Sequence, residues 1–303
     1  MATLDDFARS AVISIEDLFH ELQLQSEVSN PNNPQASIVI VDCRFSLMQP
    51  HLGRQQYETS HLPGAYYLDL NQDLSSPVAT HGGRHPLPNP DVLAVQLTAM
   101  GITPETLVVA YDDSRLAFAA RLWWLLRYLG HDRVAVLNGG WSAWQAAGLP
   151  TTTEIPPPRP GAFVPCPNPQ EIVDIQDIRA GLQPIESRHQ SQPDPGAPIV
   201  LIDSRESVRY RGESEPIDPI AGHIPGAVNY PWQEVTDENG FVQSLETQRD
   251  RWKSLSANQP SPEIIAYCGS GVTACVNLLS LYQVGIPAKL YPGSWSDWCS
   301  YLV

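Results

Sequence analysis

Residues 38–44 read Ile38-Val39-Ile40-Val41-Asp42-Cys43-Arg44, and residues 199–205 read Ile199-Val200-Leu201-Ile202-Asp203-Ser204-Arg205. Each is a run of branched apolar residues closed by Asp-x-Arg. A short run that is apolar on both faces has the pattern of a strand buried in a parallel sheet. The pair also opens a longer repetition. His61-Leu62-Pro63-Gly64-Ala65 returns as His223-Ile224-Pro225-Gly226-Ala227, and Val108-Val109-Ala110-Tyr111-Asp112 as Ile264-Ile265-Ala266-Tyr267-Cys268. Gly140-Trp141-Ser142-Ala143-Trp144 returns as Ser294-Trp295-Ser296-Asp297-Trp298. Matched landmarks in one order, in two copies, predict a duplicated domain rather than a solenoid. Between the copies, residues 151–169 hold seven prolines, a composition that excludes helix and interior strand and predicts an extended, semi-rigid linker. The expected organisation is therefore a domain over residues 1–150, a Pro-rich linker over 151–169 and a second domain over 170–303. A further loop is expected at residues 190–198.

Outward from these strands the pattern alternates. The apolar runs Leu107–Tyr111 and Glu263–Tyr267 are each followed by a helix-compatible stretch, residues 116–129 and 273–284, with Gly130 and Gly285 where helix C-caps belong. Strands alternating with helices predict an α/β fold, each domain a mainly parallel sheet flanked by helices. In such sheets ligands bind outside the carboxyl ends of the strands.

Composition narrows the class. The 303 residues carry 18 Lys+Arg against 33 Asp+Glu, a net charge of −15. A chain this acidic repels phosphate backbones and anionic lipid, so neither nucleic acid nor a membrane is expected as a partner. No apolar run approaches the ~18–20 residues of a membrane span, and the N-terminus lacks the basic start and apolar stretch of a signal peptide. The expected location is the cytoplasm. The five cysteines, Cys43, Cys166, Cys268, Cys275 and Cys299, are odd in number and sparse. That argues against a disulfide scaffold, and no C-x-x-C spacing suggests a metal site. A single reactive thiol is the remaining chemistry.

Cys268 is the candidate. It follows a buried strand directly and opens Cys268-Gly269-Ser270-Gly271-Val272-Thr273 before a helix. Two glycines let successive backbone N–H groups turn toward one point, and the helix adds its positive end. Both favour a thiolate and would hold a persulfide. The first copy has Asp112 at the matching position, a carboxylate that cannot act as a sulfur nucleophile, so that copy is expected to be catalytically silent. Phosphate-ester hydrolysis in such a loop needs an arginine six residues after the cysteine, and Ala274 stands there. Cys275 is a small core residue or a resolving thiol. The tryptophans at i, i+3 in both copies favour packing, and His61 and His223, repeated in both copies, read as structural.

Tyr57-Glu58-Thr59-Ser60-His61-Leu62-Pro63-Gly64-Ala65 and Tyr291-Pro292-Gly293-Ser294-Trp295-Ser296-Asp297-Trp298 resemble the N- and C-terminal signatures of two-domain rhodanese-type sulfurtransferases. Asp297 stands where that family usually has Glu, a departure expected to concern surface packing. The resemblance implies two tandem rhodanese-like domains, the first inactive and the second carrying a cysteine that becomes persulfidated. It implies a small-molecule sulfur donor, a thiol, thioredoxin-type or cyanide acceptor, and no metal or organic cofactor. The loop Cys268 to Thr273 has the form of mercaptopyruvate-specific members, not the cationic form of thiosulfate-specific ones. A neutral loop also suits a monoanionic keto acid better than a dianion. Gly269, Gly271, Val272 and Thr273 are expected to line the donor site. Arg205 is implied as the donor-binding arginine, with Arg209 and Arg211 as candidates for a second clamp. Mercaptopyruvate-type members are proposed to use a Ser-His-Asp relay, for which Ser270 and His85 match, with His81 as competitor. Its aspartate position holds Asn71, leaving Asp69 or Asp73 to substitute. Thiosulfate as donor, and a non-catalytic persulfide relay, are the alternative readings.

Overall fold

The computed structural model describes residues 3–27, 38–182, 199–256 and 262–303; the loop expected at 190–198 lies outside them. Contacts divide the chain into two compact units. One comprises Met1–Ser76, Leu87–Pro167 and Thr236–Val242, the other Pro77–Pro86, Asn168–Val235 and Gln243–Val303. Residues 77–86 thus belong with the second unit, although a division at residue 150 places them in the first.

The first unit holds β1 (Val12–Ile13), β2 (Ile38–Asp42), β3 (Tyr66–Tyr67), β4 (Leu107–Tyr111) and β5 (Val134–Leu137). They pair in the order β1-β5-β4-β2-β3, all parallel. The second unit holds β6 (Ile199–Asp203), β7 (Val228–Asn229), β8 (Glu263–Tyr267) and β9 (Lys289–Leu290), in the parallel order β7-β6-β8-β9. The two Asp-x-Arg runs are interior strands of their sheets. β2 pairs β4 with Ile38 opposite Leu107, and β6 pairs β8 with Ile199 opposite Glu263. Strands β2 and β4 are buried along their whole length, which is why their sequences do not alternate.

Each sheet packs an apolar core beneath flanking helices. In the first unit Ile40, Leu62, Val109, Tyr111 and Trp144 belong to one cluster; in the second Leu201, Ile224, Ile265, Tyr267 and Trp295 do. Helices follow β4 and β8 as Ala119–Tyr128 and Ala274–Gln283, and Gly130 and Gly285 sit just past their ends at φ +86° and +76°, where only glycine is unstrained. The first of these helices starts three residues later than the sequence pattern suggests. Arg115 and Leu116 take left-handed backbone angles, which break the helical run while the N–H groups of Ser114, Leu116, Phe118 and Ala119 turn to the Asp112 carboxylate. The proline-rich stretch has no helix or sheet strand through Pro167. Hydrogen bonds from Arg159 N to Ala99 O, Ala162 N to Ile102 O and Cys166 N to Leu129 O strap it along the first unit, and Pro169–Glu171 form a short 3-10 turn.

Candidate active site

Cys268 follows β8 at the carboxyl end of the second sheet and is buried. Its backbone is fixed on both sides. Its N–H donates to Ser294 Oγ (3.1 Å) and its carbonyl accepts from Trp295 N (3.0 Å). Ser294 opens the helix Ser294–Ser300 and is held at φ +56°, a strained position for a residue with a Cβ. Its hydroxyl, which also donates to Tyr291 O (2.9 Å), is what that position supplies. Gly271, at φ +75°, lies against Pro292: a Cβ there would come within 2.3 Å of the Pro292 carbonyl. The loop winds directly into the helix Ala274–Gln283, with Cys275 N bonded to Val272 O and Val276 N to Thr273 O. Gly269, Ser270, Gly271, Val272 and Thr273 therefore form one turn between the nucleophile and a helix N-terminus.

The first unit shows what such a turn is built to hold. There the Asp112 carboxylate accepts from the N–H groups of Ser114 (2.7 Å), Leu116 (3.1 Å), Phe118 (2.8 Å) and Ala119 (2.8 Å). Burial pushes this carboxyl up, and the four N–H groups oppose that by stabilising its anion. An anion bonded by four converging N–H groups fills the position equivalent to Cys268. A cavity of about 420 Å³ opens beside Asp112, lined also by Asp113, Arg115, Ser142 and Phe241. It holds no cysteine or histidine, and its Ser142 hydroxyl is bonded to Asp113 (2.6 Å), so size alone does not make it the reactive site.

The segment at residues 81–85 delivers two further side chains to the Cys268 loop. Gly82 N donates to Asp297 Oδ1 (2.7 Å), Arg84 N to Ser296 Oγ (3.1 Å), and His81 Nδ1 lies 2.7 Å from Ser300 Oγ while its ring stacks on Tyr301. Asp297 also accepts from Tyr291 (2.6 Å) and is buried. The expectation that Asp297 concerns surface packing is corrected, because its carboxylate anchors the segment carrying Arg84 and His85. So held, His85 Nδ1 lies 2.7 Å from Ser270 Oγ, both buried. His81 does not share that position. Asp69 and Asp73 are committed inside the first unit. Asp69 accepts from the N–H groups of Asn71 (2.8 Å) and Gln72 (3.0 Å), and Asp73 from Asp69 N (2.7 Å) and Gln96 Nε2 (2.6 Å).

The arginines are arranged differently from the expectation. Arg205 is buried, with Nε and Nη2 on the Asp203 carboxylate, Nη2 on the Gly222 carbonyl (2.6 Å) and Nη1 on Glu215 (3.1 Å). Burial would lower its pKa, and the Asp203 hydrogen bonds and charge reverse that and raise it. Arg44 makes the same contacts in the first unit, to Asp42 and to the Ser60 carbonyl (2.7 Å). The Asp-x-Arg pair is thus a repeated clamp on the strand end, and Arg205 spends Nε and Nη2 within it. Arg211 pairs with Glu213 at the surface. Arg209 is at the site: it binds Glu215 through Nε (3.2 Å) and Nη2 (2.7 Å), and Asp218 through Nη2 (3.1 Å). Asp218 in turn pairs with Arg84. The result is an alternating chain of charges, Asp203, Arg205, Glu215, Arg209, Asp218 and Arg84, ending at the Cys268 loop. Arg84, Glu215 and Asp218 were not legible as site residues; the available signal was the Gly82-Gly83 pair that frees the backbone just before Arg84-His85.

Of the other cysteines, Cys43 and Cys299 are raised by burial, which removes them as nucleophiles near neutral pH. Cys275 is buried with its sulfur on the Gly271 carbonyl (3.5 Å), and Cys166 is exposed. Among the described residues no group of three or more His, Cys, Asp or Glu could hold a metal ion, and no helix is long and apolar enough to cross a membrane.

Comparison with known proteins supplies the family. The rhodanese-like domain matches twice, at residues 24–147 and 187–301. The chain is 42% identical over 94% of its length to the "Probable 3-mercaptopyruvate sulfurtransferase" of Pseudomonas aeruginosa, covering 96% of that protein. It is 35% identical to the "Putative thiosulfate sulfurtransferase SseB" of Mycobacterium tuberculosis, over 87% of this chain and 88% of that one. The crystal structure of SseA, a 3-mercaptopyruvate sulfotransferase from Escherichia coli, superposes with a TM-score of 0.72 at 29% identity, covering 94% of this chain and 98% of that one.

Proposed function

We propose, since the chain belongs to the rhodanese-like domain family, that it is a sulfurtransferase taking sulfur from 3-mercaptopyruvate through a persulfide on Cys268. The observation that carries this reading is the placement of Cys268: directly after a central parallel strand, at a turn whose counterpart binds an anion with four N–H groups, beside two arginines and a Ser270–His85 pair. The first unit, with Asp112 filling its own cradle, is catalytically silent.

The reaction runs in two halves. The Cys268 thiolate forms a bond to the donor's thiol sulfur, the donor's C–S bond breaks, and its electron pair leaves as the enolate of pyruvate. The donor thiol's proton passes by way of Ser270 and His85 to the enolate carbon, leaving pyruvate and the anionic persulfide. The loop N–H groups and the helix N-terminus hold that charge. An acceptor then attacks the outer sulfur and returns the Cys268 thiolate. A small thiol, a thioredoxin-type dithiol or cyanide meets that requirement, and a reducing compartment such as the cytoplasm keeps the thiol available. The cysteine is itself the sulfur carrier, so the reaction calls for no organic cofactor.

Thiosulfate is the second donor this geometry serves, because Arg84 and Arg209 bring cations that the loop sequence lacks. The charge chain favours the keto acid: Asp218 and Glu215 partly offset the Arg84 and Arg209 charges, so beside a thiolate a monoanionic carboxylate is held at less repulsion than a dianion. Sulfur transfer to cyanide, followed as thiocyanate with each donor, tests this. The expected kcat/KM for mercaptopyruvate is at least about tenfold higher, or ~1.4 kcal/mol of transition-state preference. A preference for thiosulfate would overturn the donor assignment. Ser270→Ala is expected to lower kcat about 10²-fold with mercaptopyruvate by breaking the path to His85, with the KM changed little; an unchanged kcat would remove the pair from the proton path.

A further inference from the structure

We infer that Arg84 is the donor-recognition residue, receiving the carboxylate of a 2-keto acid donor together with Arg209. This rests on the reading of Cys268 as the sulfur-accepting nucleophile.

Gly269 directly follows the nucleophile. A methyl group built on it would lie 2.9 Å from an Nη of Arg84 and 3.7 Å from both Nη atoms of Arg209. Two guanidinium groups therefore overhang the peptide that leads out of Cys268. The Cys268 sulfur is also the foremost group holding the Arg84 charge in place against burial, which pushes its pKa down, while Arg209 repels it. Asp218 pairs with both guanidinium groups, while Arg84 Nη2 and both Nη atoms of Arg209 still face Gly269 beside the sulfur, so cationic N–H groups converge where an anion would enter.

The two arginines differ in what they can offer. Arg209 spends Nε and Nη2 on Glu215 and Asp218, and its side chain is 13% exposed. Arg84 gives Nη1 to Asp218, turns Nη2 toward Gly269, and its side chain is 30% exposed. It is thus the open end of the charge chain. A planar guanidinium can receive a carboxylate through two parallel N–H groups, which fixes the orientation of the acid. With the carboxylate held over Gly269, the rest of a three-carbon keto acid reaches toward Cys268.

Position in the chain explains how Arg84 is kept ready. Gly83, at φ +82°, packs so closely on the Gly293 carbonyl that a Cβ would come within 2.4 Å of it. Arg84 N is tied to Ser296 Oγ, and the preceding Gly82 N to Asp297. The backbone of Arg84 is therefore fixed on the helix that also fixes Cys268, so cation and nucleophile share one support. Pre-set geometry of this kind lowers the cost of ordering the donor.

The test compares two donors on three proteins: wild type, Arg84→Ala and Arg84→Lys. The donors are 3-mercaptopyruvate and 1-mercapto-2-propanone, which keeps the ketone and thiol but replaces the carboxylate by a methyl group. For Arg84→Ala the KM for mercaptopyruvate is expected to rise roughly tenfold or more with kcat within about threefold. With mercaptopropanone, kcat/KM is expected to fall several-fold less than with mercaptopyruvate, because only the help that Arg84 gives the Cys268 sulfur is lost there, and this remaining turnover shows that the variant is folded. Arg84→Lys, with its charge but no fork, should fall between. An Arg84→Ala protein with an unchanged KM for mercaptopyruvate, or with equal losses on both donors, overturns the assignment while leaving the sulfurtransferase reading intact. A wild-type protein that takes no sulfur from mercaptopyruvate overturns both.

Discussion

Cys268→Ser is expected to abolish sulfur transfer, lowering kcat/KM with mercaptopyruvate by at least about 10³-fold, or ~4 kcal/mol of transition-state stabilisation. The size follows from the chemistry. A serine oxygen at this position is not a thiolate and cannot form a persulfide, so no covalent route survives the substitution. Nor can another buried thiol stand in. Burial raises Cys43 and Cys299 away from thiolate formation, and Cys275 is buried on the Gly271 carbonyl. The substitution removes one sulfur from a site whose backbone bonds to Ser294 and Trp295 do not involve the side chain, so the variant should retain its fold. The assay is thiocyanate formation beside a thermal melt. Residual transfer within about tenfold of wild type would place the reactive sulfur elsewhere.

Glu215→Ala is expected to produce the largest loss of stability, about 3–5 kcal/mol. The Glu215 side chain is enclosed (3% exposed) and binds Arg205 on one side and Arg209 on the other. It also accepts the backbone N–H groups of Ile217 and Asp218 (3.1 Å each). Removing it leaves two guanidinium groups without their shared anion, one of them fully enclosed, and frees the turn that presents Asp218 to Arg84. The net worth of an intact buried pair is small, but breaking one by deleting a single partner is costly, because the remaining charge keeps its desolvation penalty. Urea unfolding of the whole chain measures the effect as a lowered midpoint. Glu213→Ala is the matched control: its partner Arg211 is exposed, so no measurable change is expected. Equal midpoints for Glu215→Ala and wild type would show that the charge chain does not hold the loop.

The repeat carried most of the fold. Asp-x-Arg, His-x-Pro-Gly-Ala and the paired tryptophans each recur in one order, and each lands at an equivalent place in its own unit. His61 and His223 stack on Tyr57 and Tyr210 and bond the carbonyls of those same residues. Cys268 was legible because a strand, a Gly-rich turn and a helix are local features. The pairing of Ser270 with His85 spans the chain, and only the resemblance to a family suggested it.

The misplaced residues have a common cause: ion-pair partners are chosen in three dimensions. Arg205 follows a strand end, as a ligand-binding arginine would, but Asp203 two residues earlier captures it. The signal was present, since Arg44 repeats the arrangement in the unit whose position matching Cys268 is Asp112, and a feature common to both copies points to the scaffold. Arg84 had no repeat partner and stood next to a histidine of greater apparent interest. Its placement depends on Gly82 and Gly83, on Ser296 and Asp297, and on Asp218, none of which spacing connects. The late start of the helix Ala119–Tyr128 has a similar origin, because no propensity scale anticipates a carboxylate taking four of the N–H groups around a helix start.

Whether Cys268 carries the transferred sulfur is measured most directly by mass spectrometry of the protein after incubation with 3-mercaptopyruvate and no acceptor. The predicted result is one added sulfur atom, located on the peptide containing Cys268, lost on adding cyanide and absent from Cys268→Ser. Added sulfur on another cysteine, or no added sulfur on a protein that still turns over, would contradict the account.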